Sequence, residues 1–327
     1  MDLHNMPLLP CSSLSISIAK GLLNFFVYVR PCVCVCDSGL IGEGEVLLVD
    51  AVPHLWRPTK LFVFGDSSAA TGNNVASLGS DSDICWHSPY GETFPGKPTA
   101  RFSDGRVLTD FIAKFIAVKS PLAYKIRNAA GYYSKYGMNF AYGGHSRNED
   151  SVYNTTDLFS SVALVTVSGD DNNYNYFNEG FVKDLKRIYD FGVKKILVTN
   201  LAPMGCLPRI TSVFKSQNLL LQQAVAKLNS ETESSSFIIL DLYASFTPVF
   251  KNKADHLGSI KFKKPLKSCC VGQSDSDWCG RRYDMDGSPM YTVCERNSAF
   301  FWDDAHPSQQ GWTAVYSNLQ ATLQQLY

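Results

Sequence analysis

Two short stretches, far apart in the chain, carry residue types suited to acyl-transfer chemistry. The first is Gly65-Asp66-Ser67-Ser68, which follows directly on the apolar run Leu61-Phe62-Val63-Phe64. A serine just past a buried strand is well placed as a nucleophile, and its own N–H, if it opens a helix, can stabilise an oxyanion. The same residue could equally be an N-cap in a strand-to-helix loop. The second stretch is Phe300-Phe301-Trp302-Asp303-Asp304-Ala305-His306-Pro307. Asp and His three apart on a loop can face one site. There His306 could remove a serine proton while Asp303 holds the imidazole tautomer and stabilises the imidazolium. A histidine beside a helix start with a nearby capping aspartate is the plainer reading. Ser67 does not lie in G-x-S-x-G and no G-K-[ST] follows it, so neither a nucleophile elbow nor a phosphate loop applies.

The elements that must position these groups alternate. Short apolar runs predict strands at 61–64, 138–141, 162–167, 193–201 and 237–240. Between them, Phe181, Leu185, Ile188 and Tyr189 fall on one helical face, with Gly192 as the stop. Residues 215–234 predict a second helix. A third begins after Pro307, with Ser308 as N-cap and Trp312, Val315, Tyr316, Leu319 and Leu323 at helical spacing. Apolar strands alternating with amphipathic helices imply an α/β fold whose parallel sheet is covered on both faces. In such folds reactive groups gather at the carboxyl ends of the strands.

Composition narrows the function classes. The chain has 327 residues, 45% hydrophobic, with 30 Lys+Arg against 30 Asp+Glu. Zero formal charge argues against a nucleic-acid partner, and no apolar run reaches the roughly 18–20 residues of a membrane-spanning helix. Of ten cysteines, Cys269, Cys270, Cys279 and Cys294 cluster late in a polar segment. They lack the C-x2-C pairs or added histidines of a zinc site, so disulfides in an oxidising compartment are expected. Adjacent Cys269 and Cys270 make poor partners for each other, and each is expected to pair with Cys279 or Cys294, in either arrangement. Asn154-Thr155-Thr156 is a glycosylation sequon. Residues 1–58 read as an irregular leader. Leu22 to Val29, preceded by Lys20, resembles the apolar part of a signal peptide but lacks a cleavage site. Cys32, Cys34 and Cys36 lack a second ligand pair for metal. Residues 59–327 are expected to form the functional domain.

Taken together, Lys60-Leu-Phe-Val-Phe-Gly-Asp-Ser67, Pro89-Tyr-Gly-Glu-Thr-Phe-Pro-Gly-Lys-Pro-Thr-Ala-Arg-Phe-Ser-Asp-Gly-Arg106, Tyr136-Gly-Met-Asn-Phe-Ala-Tyr-Gly-Gly144, Leu201-Ala-Pro-Met-Gly-Cys-Leu-Pro208 and Ala299 to Pro307 resemble the plant GDSL esterase/lipase family of the SGNH-hydrolase superfamily. The resemblance runs from about Pro58 to Tyr327. It implies a single three-layer α/β/α domain with a flavodoxin-like parallel sheet. It also implies Ser67 as nucleophile, His306 as base and Asp303 as third triad member. The oxyanion hole it implies joins the Ser67 N–H, the N–H of Gly144 (or of Gly143) and an asparagine amide. It implies no metal or organic cofactor, a secreted location, and acyl esters of lipids, small alcohols or cell-wall components as substrates.

Three departures stand out. The family pattern G-x-N-D reads here Ser168-Gly169-Asp170-Asp171, so straight alignment puts Asp170 where the donor asparagine belongs; Asn172 serves if the loop shifts by two. Ala70 replaces the aspartate of D-T-G-N, and the stretch from Gly144 to Asp170 is short. A serine ester hydrolase is the expected function. The alternative is an impaired SGNH-fold protein that binds acylated or glycan ligands.

Overall fold

The structure is a computed structural model and describes residues 17–19, 26–28, 56–74, 81–127, 135–142, 153–167, 179–203, 208–232, 235–251, 262–274, 276–281 and 288–327. Two compact units divide the chain, Met1–Val52 and Pro53–Tyr327. In the first, β1 (Ser17–Ala19) pairs antiparallel with β2 (Phe26–Tyr28). Most of the apolar run 22–29 and all of Cys32, Cys34 and Cys36 lie outside the described residues.

The second unit is built on a six-stranded sheet. Its strands are β3 (Lys60–Phe64), β4 (Leu122–Ala123), β5 (Gly137–Asn139), β6 (Ser161–Val165), β7 (Lys195–Thr199) and β8 (Phe237–Leu240), in the spatial order β4-β5-β3-β6-β7-β8. Every neighbouring pair is parallel. All five residues of β6 are buried, as a central parallel strand covered on both faces requires. Successive side chains alternate between two cores. On one face Leu61, Val63, Leu164 and Leu197 pack against α1 (Leu108–Phe115), α5 (Leu242–Phe250) and α6 (Gln309–Leu323) through Ile112, Phe246 and Trp312. On the other, Phe62, Ala163, Ile196 and Val198 meet α3 (Glu179–Asp190) and α4 (Pro208–Glu231) through Leu185, Leu221 and Leu228. The result is the expected three-layer α/β/α arrangement.

Strands β3 and β8 match their apolar runs to within one residue, while β5, β6 and β7 each stop two residues before theirs. The short strand β4 and three helices went unread in the sequence: α1, α5 and the single-turn-length α2 (Thr155–Phe159). The N-terminus of α1 has no side-chain cap from Val107; instead Asp110 accepts the Val107 N–H at 3.0 Å. Helix α5 begins immediately after β8 and holds Pro248, so its pattern merges with the strand's.

A third apolar cluster sits beside the sheet. It holds Ala70, Cys85, Tyr90, Phe102, Cys269, Cys270, Cys279 and Trp302. Strands β9 (Cys270–Gly272) and β10 (Tyr291–Val293) pair antiparallel next to it. Cys269 is bonded to Cys294 and Cys270 to Cys279. Ala70, the position where the sequence departs from D-T-G-N, is fully buried in this cluster. An ionised carboxylate there would need a partner that an apolar wall does not supply.

Candidate active site

The turn that follows β3 carries Ser67. Gly65 opens it at φ +137°, and a Cβ at that position would lie 2.1 Å from Thr166 Oγ1 on the chain leaving β6, so only glycine fits. Asp66 closes the turn: its carbonyl accepts the Ala69 N–H at 3.2 Å and its Oδ1 accepts the Ser68 N–H at 2.8 Å. Ser67 is 5% exposed. The residue lies in a turn, so the condition of a helix opening at Ser67 is not met. What this turn offers an anion is a local N–H rather than a helix dipole. Among the described residues the Ser67 N–H has no hydrogen-bond acceptor.

The loop before α6 brings the other two groups. His306 Nε2 lies 2.8 Å from Ser67 Oγ, and His306 Nδ1 lies 2.8 and 2.9 Å from the two Asp303 oxygens. The Asp303 Oδ1 atom also accepts the N–H groups of Ala305 and His306, at 2.9 and 2.7 Å. Burial alone would raise the Asp303 carboxyl, but the His306 charge and these donors hold it below the ordinary carboxylate range. Asp303 is thus an anion beside the imidazole. The Trp302 N–H closes the loop on the His306 carbonyl at 2.8 Å, and Ser308 caps α6 by accepting the Gly311 N–H at 3.0 Å.

One segment supplies the wall behind this loop, and its side chains had no assigned role in the sequence reading. Tyr90 donates its hydroxyl to Asp303 Oδ2 at 2.8 Å. The Phe102 ring stacks on the His306 imidazole with centroids 4.8 Å apart. Asp104 accepts the Gln309 N–H at 2.8 Å, holding the first turn of α6. Arg101 pairs with Asp110 through two bonds of 2.9 Å. All of these except Asp110 lie between Pro89 and Arg106. The only signal in the sequence was that this block matched a family pattern as a whole.

Asn73 and Asn139 tie the Ser67 loop to the end of β5. Asn73 Nδ2 donates to the carbonyls of Asn139 and Ala141, and Asn139 Nδ2 donates to the Ala69 carbonyl, each at 2.8 Å. Gly143 and Gly144 follow two residues on and lie outside the described residues, as do Asp170 and Asn172. Asn154 is exposed and caps α2, accepting the Asp157 N–H at 2.8 Å through Oδ1. Among the described residues no group of three or more His, Cys, Asp or Glu is placed to hold a metal, and no helix is long and apolar enough to cross a membrane.

The model of the GDSL-like lipase/acylhydrolase family matches residues 61–319. The chain belongs to that family. A GDSL esterase/lipase of Arabidopsis thaliana is 44% identical over 361 residues, covering 94% of this chain and 98% of the relative. Another from Arabidopsis is 41% identical, covering 83% and 90%. More distant is acetylajmalan esterase 2 of Rauvolfia serpentina, 27% identical over 82% and 89%. As a GDSL-family member the chain is a serine ester hydrolase that cleaves carboxylic esters. The 361-residue alignment exceeds the 327 residues of this chain, so the Arabidopsis relative carries segments with no counterpart here.

Proposed function

We propose that ester cleavage by this protein runs through an acyl-enzyme on Ser67, with His306 as base and Asp303 orienting it. One observation carries the reading: a single imidazole bridges Ser67 Oγ and the Asp303 carboxylate at hydrogen-bond distance, from loops 239 residues apart. His306 Nε2 takes the hydroxyl proton as Oγ attacks the ester carbonyl. It then returns that proton to the leaving alkoxide, releasing the alcohol. Water attacks the acyl-enzyme by the same relay, and the carboxylic acid leaves. Asp303, held ionised, keeps the Nδ1 proton in place and stabilises the imidazolium that forms in both halves.

The negative oxygen of the tetrahedral intermediate is met by the Ser67 N–H, by Gly144, and by a third donor from the loop carrying Asp170 and Asn172. The substrates are acyl esters of lipids or small alcohols. The protein works outside the cell, a reading supported by two disulfides and the exposed sequon at Asn154. The domain that does this comprises residues 59–327, with 1–58 as a leader.

The test is covalent labelling of the purified chain with a fluorophosphonate. The expected adduct sits on Ser67, is absent in Ser67→Ala, and tracks loss of p-nitrophenyl ester hydrolysis. An unlabelled, inactive protein that still binds acylated or glycan ligands would overturn the hydrolytic role in favour of binding.

A further inference from the structure

Among the described residues, four donors meet the Asp303 carboxylate. Three belong to its own loop: the N–H groups of Ala305 and His306, and the His306 ring. These move with the loop and cannot orient the carboxylate against the rest of the domain. The fourth, the Tyr90 hydroxyl at 2.8 Å from Oδ2, comes from a residue 213 positions away. We propose that Tyr90 is a positioning residue of this triad, fixing the Asp303 carboxylate so that it faces the His306 imidazole. The inference rests on the triad reading above.

The surroundings make Tyr90 a rigid post. It is 0% exposed, its ring meets Trp302 edge-on with centroids 6.1 Å apart, and its N–H donates to the His87 carbonyl at 3.0 Å. Its ring edge also lies against Gly280, directly after Cys279 of the Cys270–Cys279 bridge. A Cβ at Gly280 would come 3.1 Å from Tyr90 Cε2, and that residue sits at φ +83°. Burial first, and the Asp303 charge second, push the phenol well above its ordinary pKa. The hydroxyl therefore remains a donor throughout the working range, and a donor is what a carboxylate needs.

The bond should also tune the base. A phenol donating into Oδ2 spreads part of the carboxylate's charge and weakens its hold on imidazolium. Removing the hydroxyl strengthens that hold, so more of His306 is protonated at a given pH.

The test uses Tyr90→Phe, Asp303→Asn and the double variant in the full chain, assayed on a soluble p-nitrophenyl ester. Tyr90→Phe is expected to lower kcat about tenfold with KM little changed, as loss of one hydrogen bond to a charged group does. The acidic limb of kcat/KM is expected to move up by about half a pH unit. In the Asp303→Asn background the same change should add nothing. Equal losses in both backgrounds, or a Tyr90→Phe enzyme with wild-type kcat and pH profile, would overturn the proposal. If Tyr90→Phe does not fold, 3-fluorotyrosine at position 90 replaces it. That stronger donor of the same shape is expected to move the limb downward, and an unmoved limb sinks the idea. Ser67→Ala run alongside separates the two readings: activity surviving there defeats the triad itself, whereas its loss beside an unaffected Tyr90→Phe defeats only the role of Tyr90.

Discussion

Phe102 lies face to face with His306, the two rings 4.8 Å apart at centroid and 30° apart in plane. The imidazole is thus gripped on three sides, by Ser67 at Nε2, Asp303 at Nδ1 and an aromatic plate on its face. Phe102→Leu keeps much of the volume but loses the flat surface. It should cost less than about 1.5 kcal/mol of stability, yet lower kcat severalfold because the ring can tilt away from Ser67. Thermal unfolding and steady-state kinetics on the one variant separate these effects. A kcat equal to wild type would show that the two hydrogen bonds alone hold the ring.

Ser67 and His306 should behave as one unit. Each alanine substitution is expected to remove nearly all turnover, on the order of 10^6-fold as in better-known triads, and the double variant should be no worse than either. Because Asp303 is held ionised to below the usual carboxylate range, the acidic limb of the pH profile belongs to His306. Activity is expected to fall with decreasing pH inside about pH 5–8. A flat profile there would remove His306 from the base role.

The third oxyanion donor is decided by two substitutions. With straight alignment Asp170 presents a like charge where the intermediate is negative, and Asp170→Asn should raise esterase activity, since one donor is worth about 10^2–10^3 in turnover. With the loop shifted by two, Asp170→Asn should matter little and Asn172→Ala should nearly abolish turnover. An active enzyme indifferent to both changes would place the donor in another segment.

The buried pair Arg101–Asp110 ties the segment behind the triad to α1, with both side chains nearly inaccessible. Burial would raise the Asp110 carboxyl, but the guanidinium, Ser120 and the Val107 N–H bring it below the ordinary value. A carboxyl depressed in the folded state stabilises above its unfolded pKa of about 3.9, and that stability is lost as pH falls through the lower folded value. Asp110→Asn leaves Arg101 buried without its counter-charge and should cost about 3–5 kcal/mol at neutral pH. The gap to wild type should narrow only below about pH 4. Urea titrations at pH 7 and pH 3 check this, and an equal gap at both would mean that the charge is not the source.

Cys269–Cys294 and Cys270–Cys279 close a polar segment against the loop that leads into Asp303. The Cys270 N–H donates to the Trp302 carbonyl at 2.7 Å, and the Cys269 N–H to the Phe301 and Trp302 carbonyls. Cys270→Ser with Cys279→Ser should cost about 2–4 kcal/mol. Esterase activity should fall at temperatures where wild type is still folded, because the segment also walls Tyr90. Peptide mapping of native material that found all four thiols free would point to a reducing compartment.

The sequence alone was enough for the alternation of strands and helices, because a parallel strand buried on both faces has to be an unbroken apolar run, as Leu61–Phe64 and Val162–Val165 are. It also pointed to Ser67, Asp303 and His306, since nucleophile, base and orienting carboxylate have characteristic types and lie where strands and helices meet. Helix α1 was illegible because its cap is a carboxylate three residues inside the helix. Helix α5 was illegible because its apolar pattern runs on from β8. Tertiary structure alone decided what surrounds the triad. Tyr90, Phe102 and Asp104 sit among charged, glycine and proline residues with no periodicity, and each acts on a partner about 200 residues away. A hydrogen bond such as that from Tyr90 to Asp303 leaves no mark in local patterning, because its two ends meet only once the disulfide-closed segment and the sheet have packed around them.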